Sequence, residues 1–329
     1  MSELHKFLFD GLPVRGAIVR LTDAWQEILR RRAANTSTGP YPLPVEELLG
    51  EMTAAGVLMQ SNIKFNGALV FQVFGDGPVK LAVVEVQSNY AVRSTATLIG
   101  DVPPSASIKD MLNVDGKGRC AITLDPKDRL PGQQPYQGVV SLTDADGREL
   151  ESLAGVLQQY MRQSEQLDAV LVLAANAQVA AGLIVQRMPM KGEANLAAGD
   201  LSAEDADRID HNEDYNRIAH LAASLTRDEL LNLEVDTILH RLFWEEKLLR
   251  FVPEDGDGGP HFACTCSRER VGGMLRNLGK EETDSILEEQ GLIEVACEYC
   301  GQQYRFDAVD AVHLFTEPGN DPPASTLVQ

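Results

Sequence analysis

The sequence predicts an α+β protein in three parts: a β-rich N-terminal core with helices, an acidic and partly helical linker, and a small C-terminal domain built around four cysteines. Three observations carry that reading. Apolar runs broken by Gly and Pro fill residues 68–142 and return at 169–185. Acidic residues outnumber basic ones eight to three over residues 191–217. Four of the five cysteines fall into a C-x-C pair, Cys264 and Cys266, and a C-x-x-C pair, Cys297 and Cys300. A chain of 329 residues is long enough for two domains and a sizeable core.

The core is expected over residues 1–190. Leu21–Arg30 has the pattern of a helix, with Thr22 or Asp23 as its N-cap. After a loop at Asn35–Pro44, Glu46–Met59 puts Leu48, Leu49, Met52, Ala55, Val57 and Leu58 on a broad apolar face, again helical. Ala68–Phe74 and Val79–Val86 flank Gly75-Asp76-Gly77-Pro78, a strong hairpin signal. Gly75-Asp76-Gly77 reads as that turn and not as a phosphate cradle, because no helix follows it. Arg119–Asp125 and Tyr136–Leu142 extend the β region, and Cys120, alone inside an apolar strand, reads as a small core residue. Leu153, Val156, Leu157, Tyr160 and Met161 mark an amphipathic helix. Ala169–Ala174 and Ala180–Val185 then close the sheet.

The linker is expected over residues 191–252. Its first part is weakly folded by composition. Further on, Thr226 and Glu229 form a capping box, and Leu230, Leu231, Leu233, Val235, Ile238, Leu239, Leu242, Phe243 and Trp244 expose more apolar surface than an isolated helix pair can hide. That surface must dock on something. Pro253–Pro260, rich in Gly and Asp, reads as a hinge opening the cysteine domain at 253–315, and the small, Pro-containing tail 316–329 reads as disordered.

A net charge of −20 and a pI near 4.7 argue against a nucleic-acid footprint, which needs clustered Lys and Arg, and against an anionic membrane surface. No apolar run approaches the roughly 18 residues of a spanning helix, and Met1–Asp10 lacks the regions of a signal peptide. Clustered thiols without a secretion signal favour a reducing cytoplasm and a metal over a disulfide framework. Neither a G-x-S-x-G nor a Walker sequence is present, so there is no enzyme signature. His5, His211, His220, His240 and His313 are scattered without metal-like spacing.

The cysteine pairs, 30 residues apart, have the spacing of a four-thiolate site for one Zn²⁺ ion. Four soft donors favour zinc, with an iron–sulfur cluster as the main competitor. Extended C-x-C points both sulfurs to one side. Gly301 suits the tight turn after C-x-x-C, Ile293–Val295 and Tyr304–Phe306 flank that turn as hairpin arms, and Ser267–Leu278 and Glu282–Glu289 form two short helices between the pairs. His261 sits close enough to replace a cysteine but reads as a bystander. A domain of about 55 residues has too little core to fold unaided, so the metal staples it. Without metal, the C-x-C sulfurs could join only in a very short, strained and easily reduced ring. Spacing alone therefore leaves a static staple and a reversible switch both open. A thiol oxidoreductase fits less well, because Cys297–Cys300 does not open a helix after a buried strand.

Cys264-Thr-Cys-Ser-Arg-Glu-Arg270 with Cys297-Glu-Tyr-Cys-Gly301 resembles the redox-switch domain of the redox-regulated heat-shock holdases, the bacterial 33 kDa chaperonin family. Phe7–Asp10 with Val14–Gly16, Lys64–Gly67, Gly75–Pro78 with Leu81–Val84, Tyr136–Val140 and Tyr160–Leu167 share the resemblance, which covers nearly the whole chain; loops at 31–44, 191–213 and 255–259 and the tail depart from it. The resemblance implies an ATP-independent chaperone, not an enzyme, that holds unfolding or oxidatively damaged client proteins under oxidative and heat stress. In the reduced, inactive state Cys264, Cys266, Cys297 and Cys300 hold Zn²⁺. On activation zinc is released, the disulfides Cys264–Cys266 and Cys297–Cys300 form, the linker loosens, and the protein dimerises. A binding or assembly module with a static zinc site is the alternative.

Overall fold

The computed structural model describes residues 1–35, 38–128, 134–144, 146–188 and 213–316. The acidic stretch 191–212 and the tail from 317 lie outside them. The chain divides into two compact units, Met1–Ala263 and Cys264–Gln329.

The first unit opens with strands β1 (Glu3–Phe9) and β2 (Val14–Leu21), helices α1 (Asp23–Ala33) and α2 (Leu43–Asn62), and strands β3 (Gly67–Phe74), β4 (Val79–Gln87) and β5 (Ala91–Leu98). Then come α3 (Ile108–Leu112), β6 (Arg119–Pro126), β7 (Tyr136–Ser141), α4 (Leu153–Ser164), β8 (Ala169–Ala175) and β9 (Ala180–Arg187). Helices α5 (Glu213–Ala223), α6 (Arg227–Asn232) and α7 (Val235–Phe243) and the short strands β10 (Leu248–Arg250), β11 (Glu254–Asp255) and β12 (His261–Phe262) complete it. The predicted hairpin is β3–β4, and Val73 pairs with Ala82 within it.

The strands make two sheets where the sequence reading expected one. The order is β10-β1-β2-β9-β8 in the first, with β11 also paired to β1, and β12-β5-β4-β3-β6-β7 in the second. The runs at 169–174 and 180–185 therefore close a sheet with β1 and β2, not the sheet of the hairpin. Helix α2 explains the split. Fourteen of its 20 residues are buried, on every face, as a helix must be when it is packed on both sides. A Cβ on Gly50 would come within 2.4 Å of Ala175 Cβ in the first sheet, and one on Gly56 within 2.9 Å of Val86 in the second. Glycine at these two positions lets both sheets close on the helix backbone.

The other face of the first sheet carries Phe7, Phe9, Val14, Ile18, Ala181, Leu183 and Val185, and α5–α7 cover it with Ile218, Leu230, Ile238, Leu239, Leu242 and Phe243. The excess apolar stripe of the linker thus docks on this sheet; Trp244 alone of the residues singled out stays well exposed, at 68%. Phe243 stacks edge-on to Phe9 at 5.0 Å and lies 6.1 Å from Phe7. Polar clamps fix the register. Arg20 of β2 donates to the carbonyls of Leu230, Leu231 and Leu233 at the end of α6, and Arg227 of α6 pairs with Glu47 and Glu51 of α2 at 2.6 and 3.5 Å.

Two local expectations shift. Thr22 is the N-cap of α1, but its side chain makes no capping bond; Ser2 reaches across, its Oγ accepting from Ala24 N at 3.2 Å. The expected hinge is tied down at both ends. Glu254 and Asp255 pair with Leu4 and Glu3, while His261 and Phe262 pair in parallel with Ala91 and Val92. The compact second unit begins at Cys264. Composition reads chain stiffness, but backbone hydrogen bonds to free sheet edges override it.

The second unit contains α8 (Arg268–Leu278), α9 (Lys280–Gln290), the hairpin β13 (Ile293–Ala296) with β14 (Gln303–Phe306), and α10 (Ala308–Thr316). The two helices and the hairpin arms fall where the sequence placed them; α10 was not foreseen. Ser267 caps α8 by accepting from Arg270 N at 3.2 Å. Its apolar cluster is Leu275, Ile293 and Phe306, with half-buried neighbours such as Val271, Leu287 and Leu314.

Candidate metal centre

Cys264 and Cys266 lie on the extended segment between β12 and the cap of α8, while Cys297 and Cys300 lie on the turn that joins β13 to β14. That turn is fixed by its backbone. Gly301 N donates to Cys297 O at 2.7 Å, and Cys297 N donates to Gln302 O at 2.9 Å. Gly301 holds φ at +72°, a left-handed conformation that glycine adopts without penalty. The hairpin then turns Cys297 and Cys300 toward the extended pair.

The four sulfurs lie within 4.8 Å of one another. Cys264 Sγ is 3.7 Å from Cys297 Sγ, and Cys266 Sγ is 3.3 Å from Cys300 Sγ. Zinc–thiolate bonds of about 2.3 Å place the corners of a tetrahedron about 3.8 Å apart, so these separations fit four ligands around one ion. Both contacts join one pair to the other, so the two distant chain segments meet at the cluster. All four residues are thiols and half-buried. No histidine or carboxylate joins the cluster among the described residues. His261 belongs to the first unit, where its Nδ1 pairs with Gly259 O at 2.9 Å.

Crowding and burial both act on the thiols of the cluster. Its hydrogen bond with Cys264, and then burial, push the Cys297 thiol far up; burial first pushes Cys300 up to about 11. Crowded sulfurs resist ionisation unless a positive charge sits between them. Cys120 has no such neighbours. It is buried in β6 as a core residue, and desolvation takes its thiol up to about 12.

One participant escaped the sequence reading. The Tyr304 hydroxyl, on β14, donates to Cys266 Sγ at 3.1 Å. Tyr304 stood in the sequence as a hairpin arm, and only the folded hairpin, in which it pairs with Val295, carries its hydroxyl to Cys266.

The Hsp33 protein family profile matches residues 2–307. The 33 kDa chaperonin of Chromobacterium violaceum is 43% identical over 315 residues, covering 95% of this chain and 94% of that protein. The 33 kDa chaperonin of Methylobacillus flagellatus is 41% identical over 325 residues, covering 97% and 98%. In fold, the chain resembles the crystal structure of the 33 kDa chaperonin from Thermotoga maritima, with a TM-score of 0.69 at 20% identity over 95% of this chain and 97% of that one. A profile that runs through the core, the docked helices and the cysteine cluster, joined to relatives of this identity over nearly their full lengths, identifies the chain as a member of the Hsp33 family.

Proposed function

We propose that the protein is a redox-regulated, ATP-independent holdase of the cytoplasm. It binds unfolding or oxidatively damaged proteins and prevents their aggregation. The observation that carries this reading is the cluster of four sulfurs in a unit whose own apolar core is too small to hold it. Zinc, when bound, supplies a charge that four thiolates share and a cross-link between two distant chain segments. Structural four-cysteine sites contribute about 10–16 kcal/mol to folding at neutral pH, comparable to the whole stability of a typical domain, about 5–15 kcal/mol.

Oxidation removes the ligand set. In each pair two thiols give two electrons to one peroxide; the O–O bond breaks, an S–S bond forms, and two water molecules leave. Disulfides Cys264–Cys266 and Cys297–Cys300 leave no thiolate to hold the ion, and the second unit loses its staple. Its unfolding loosens the preceding segment, and α5–α7 come away from the first sheet. The face of Phe7, Phe9, Ile18, Leu183 and Val185 is then free for the apolar segments of a client, and the activated form dimerises. No chemistry is done on the client, so the protein is not an enzyme. Among the described residues no helix is long and apolar enough to cross a membrane.

The test compares aggregation of a heat-denatured client with reduced, zinc-loaded protein and with protein treated with peroxide at raised temperature. Treatment is expected to release one zinc per chain and switch suppression on. Cys297→Ser or Cys300→Ser is expected to lower zinc affinity and give partial activity without oxidant. Equal suppression in both redox states, or a serine variant that unfolds and only loses activity, would support a static zinc staple instead.

A further inference from the structure

The sulfurs of the cluster do not receive hydrogen bonds from the same kind of donor. Cys297 Sγ accepts from the backbone N–H groups of Tyr299 and Cys300, and Cys300 Sγ accepts from the backbone N–H of Gln302. These donors come with the turn and cannot be removed by substitution. Cys266 lies on an extended segment that forms no such turn, and its sulfur takes a side-chain donor, the Tyr304 hydroxyl, at 3.1 Å. Tyr304 is placed firmly. It pairs with Val295 across the hairpin, and its ring packs against the cluster of Leu275, Ile293 and Phe306. The hydroxyl is thus held on the sulfur by the hairpin that carries the other cysteine pair.

We propose that Tyr304 is a positioning residue of the metal centre, its hydroxyl setting both the hold of Cys266 on the metal and the rate at which that sulfur is oxidised. A hydrogen bond into a thiolate draws charge off the sulfur and orients its remaining lone pairs, and outer partners of this kind commonly change metal affinity tenfold or more. The same withdrawal slows the first oxidative step. In that step Cys266 Sγ attacks a peroxide oxygen, the O–O bond breaks, hydroxide leaves, and the sulfur keeps the other oxygen as a sulfenic acid. A second thiolate then displaces that oxygen as hydroxide, closing the S–S bond. Tyr304 therefore sets the reactivity of the C-x-C arm from the C-x-x-C arm. This inference rests on the metal-binding reading above.

The test is Tyr304→Phe in the full-length protein, which keeps the ring and removes only the hydroxyl. Loaded with Co²⁺, the variant is expected to show its sulfur-to-cobalt charge-transfer band at longer wavelength than wild type, because the sulfur has become more electron-rich. Competition with a chromophoric chelator is expected to show zinc held about tenfold more weakly, and alkylation followed by mass spectrometry a several-fold faster loss of the Cys266 thiol to peroxide. Site-specific replacement of Tyr304 by a fluorotyrosine, a stronger donor, is expected to move band and rate the opposite way, which keeps the test sound if the phenylalanine variant folds poorly. Wild-type protein that takes up no Co²⁺ or Zn²⁺ at one per chain would overturn the metal-binding reading itself. Normal uptake by wild type, with band, affinity and rate unchanged in both variants, would overturn the role of Tyr304 alone.

Discussion

The two units are stabilised by different means. The first is held by area: α2 is buried between two sheets, and α5–α7 cover the remaining apolar face of one of them. The second has a cluster of Leu275, Ile293 and Phe306 and four sulfurs within 4.8 Å of one another. Burial responds to temperature and denaturant but is indifferent to peroxide. A thiolate cage is strong until its sulfurs are oxidised. Joining the two in one chain puts a unit with an oxidisable sulfur cluster next in sequence to a large apolar surface that is covered by packing and a few polar clamps.

Metal removal is the most severe way to break this contrast. A strong chelator under reducing conditions is expected to abolish amide-exchange protection in α8–α10 and the β13–β14 hairpin while β3–β6 and α2 stay protected. Uniform loss of protection, or none, would mean that the units are not stabilised separately.

Phe243→Ala probes the covered face. Removing a buried phenylalanine from between Phe7 and Phe9 costs about 3–5 kcal/mol. The variant is expected to be cut by protease within 213–252 and to hold clients without oxidant, with its zinc content unchanged. If cleavage and zinc loss always occur together, docking of α5–α7 and folding of the second unit are one event.

The smallest effect concerns Glu51 on α2. Burial foremost, opposed by Arg227, takes its carboxyl up to about 7 from an ordinary 4.5. The folded state then holds the proton more tightly than the unfolded chain. The stability this group contributes is full below pH 4.5 and is lost as the pH rises through 7. Glu51→Gln is neutral throughout, so its denaturation midpoint for the first unit is expected to change less between pH 5 and 8 than that of wild type. Parallel profiles would place the dependence elsewhere.

Legibility from the sequence followed how local each signal was. The β3–β4 hairpin, helices α8 and α9 and the arms around Cys297–Cys300 depend on turn residues and short-range periodicity. Strands β1 and β2 were not foreseen. The first sheet is covered on both faces, so β2 is buried at six of its eight positions and loses the alternation that marks a half-exposed strand. The second sheet went unseen for a related reason, since two Gly-mediated contacts on opposite sides of α2 look in sequence like one broad apolar face. The tie of 254–262 to two sheet edges was hidden because composition reports what a segment is made of and says nothing of which backbone groups lie opposite it.

By itself the sequence singled out the four clustered cysteines, because residue identity and pair spacing are local properties of the chain. It also determined that 230–243 must dock, because an apolar stripe has to leave water somewhere. Where the stripe docks, that Ser2 caps α1, that Cys264 meets Cys297 and Cys266 meets Cys300, and that Tyr304 reaches Cys266 were decided only by tertiary structure. Each of these joins residues far apart in sequence, and no local propensity encodes the partner at the other end of such a contact.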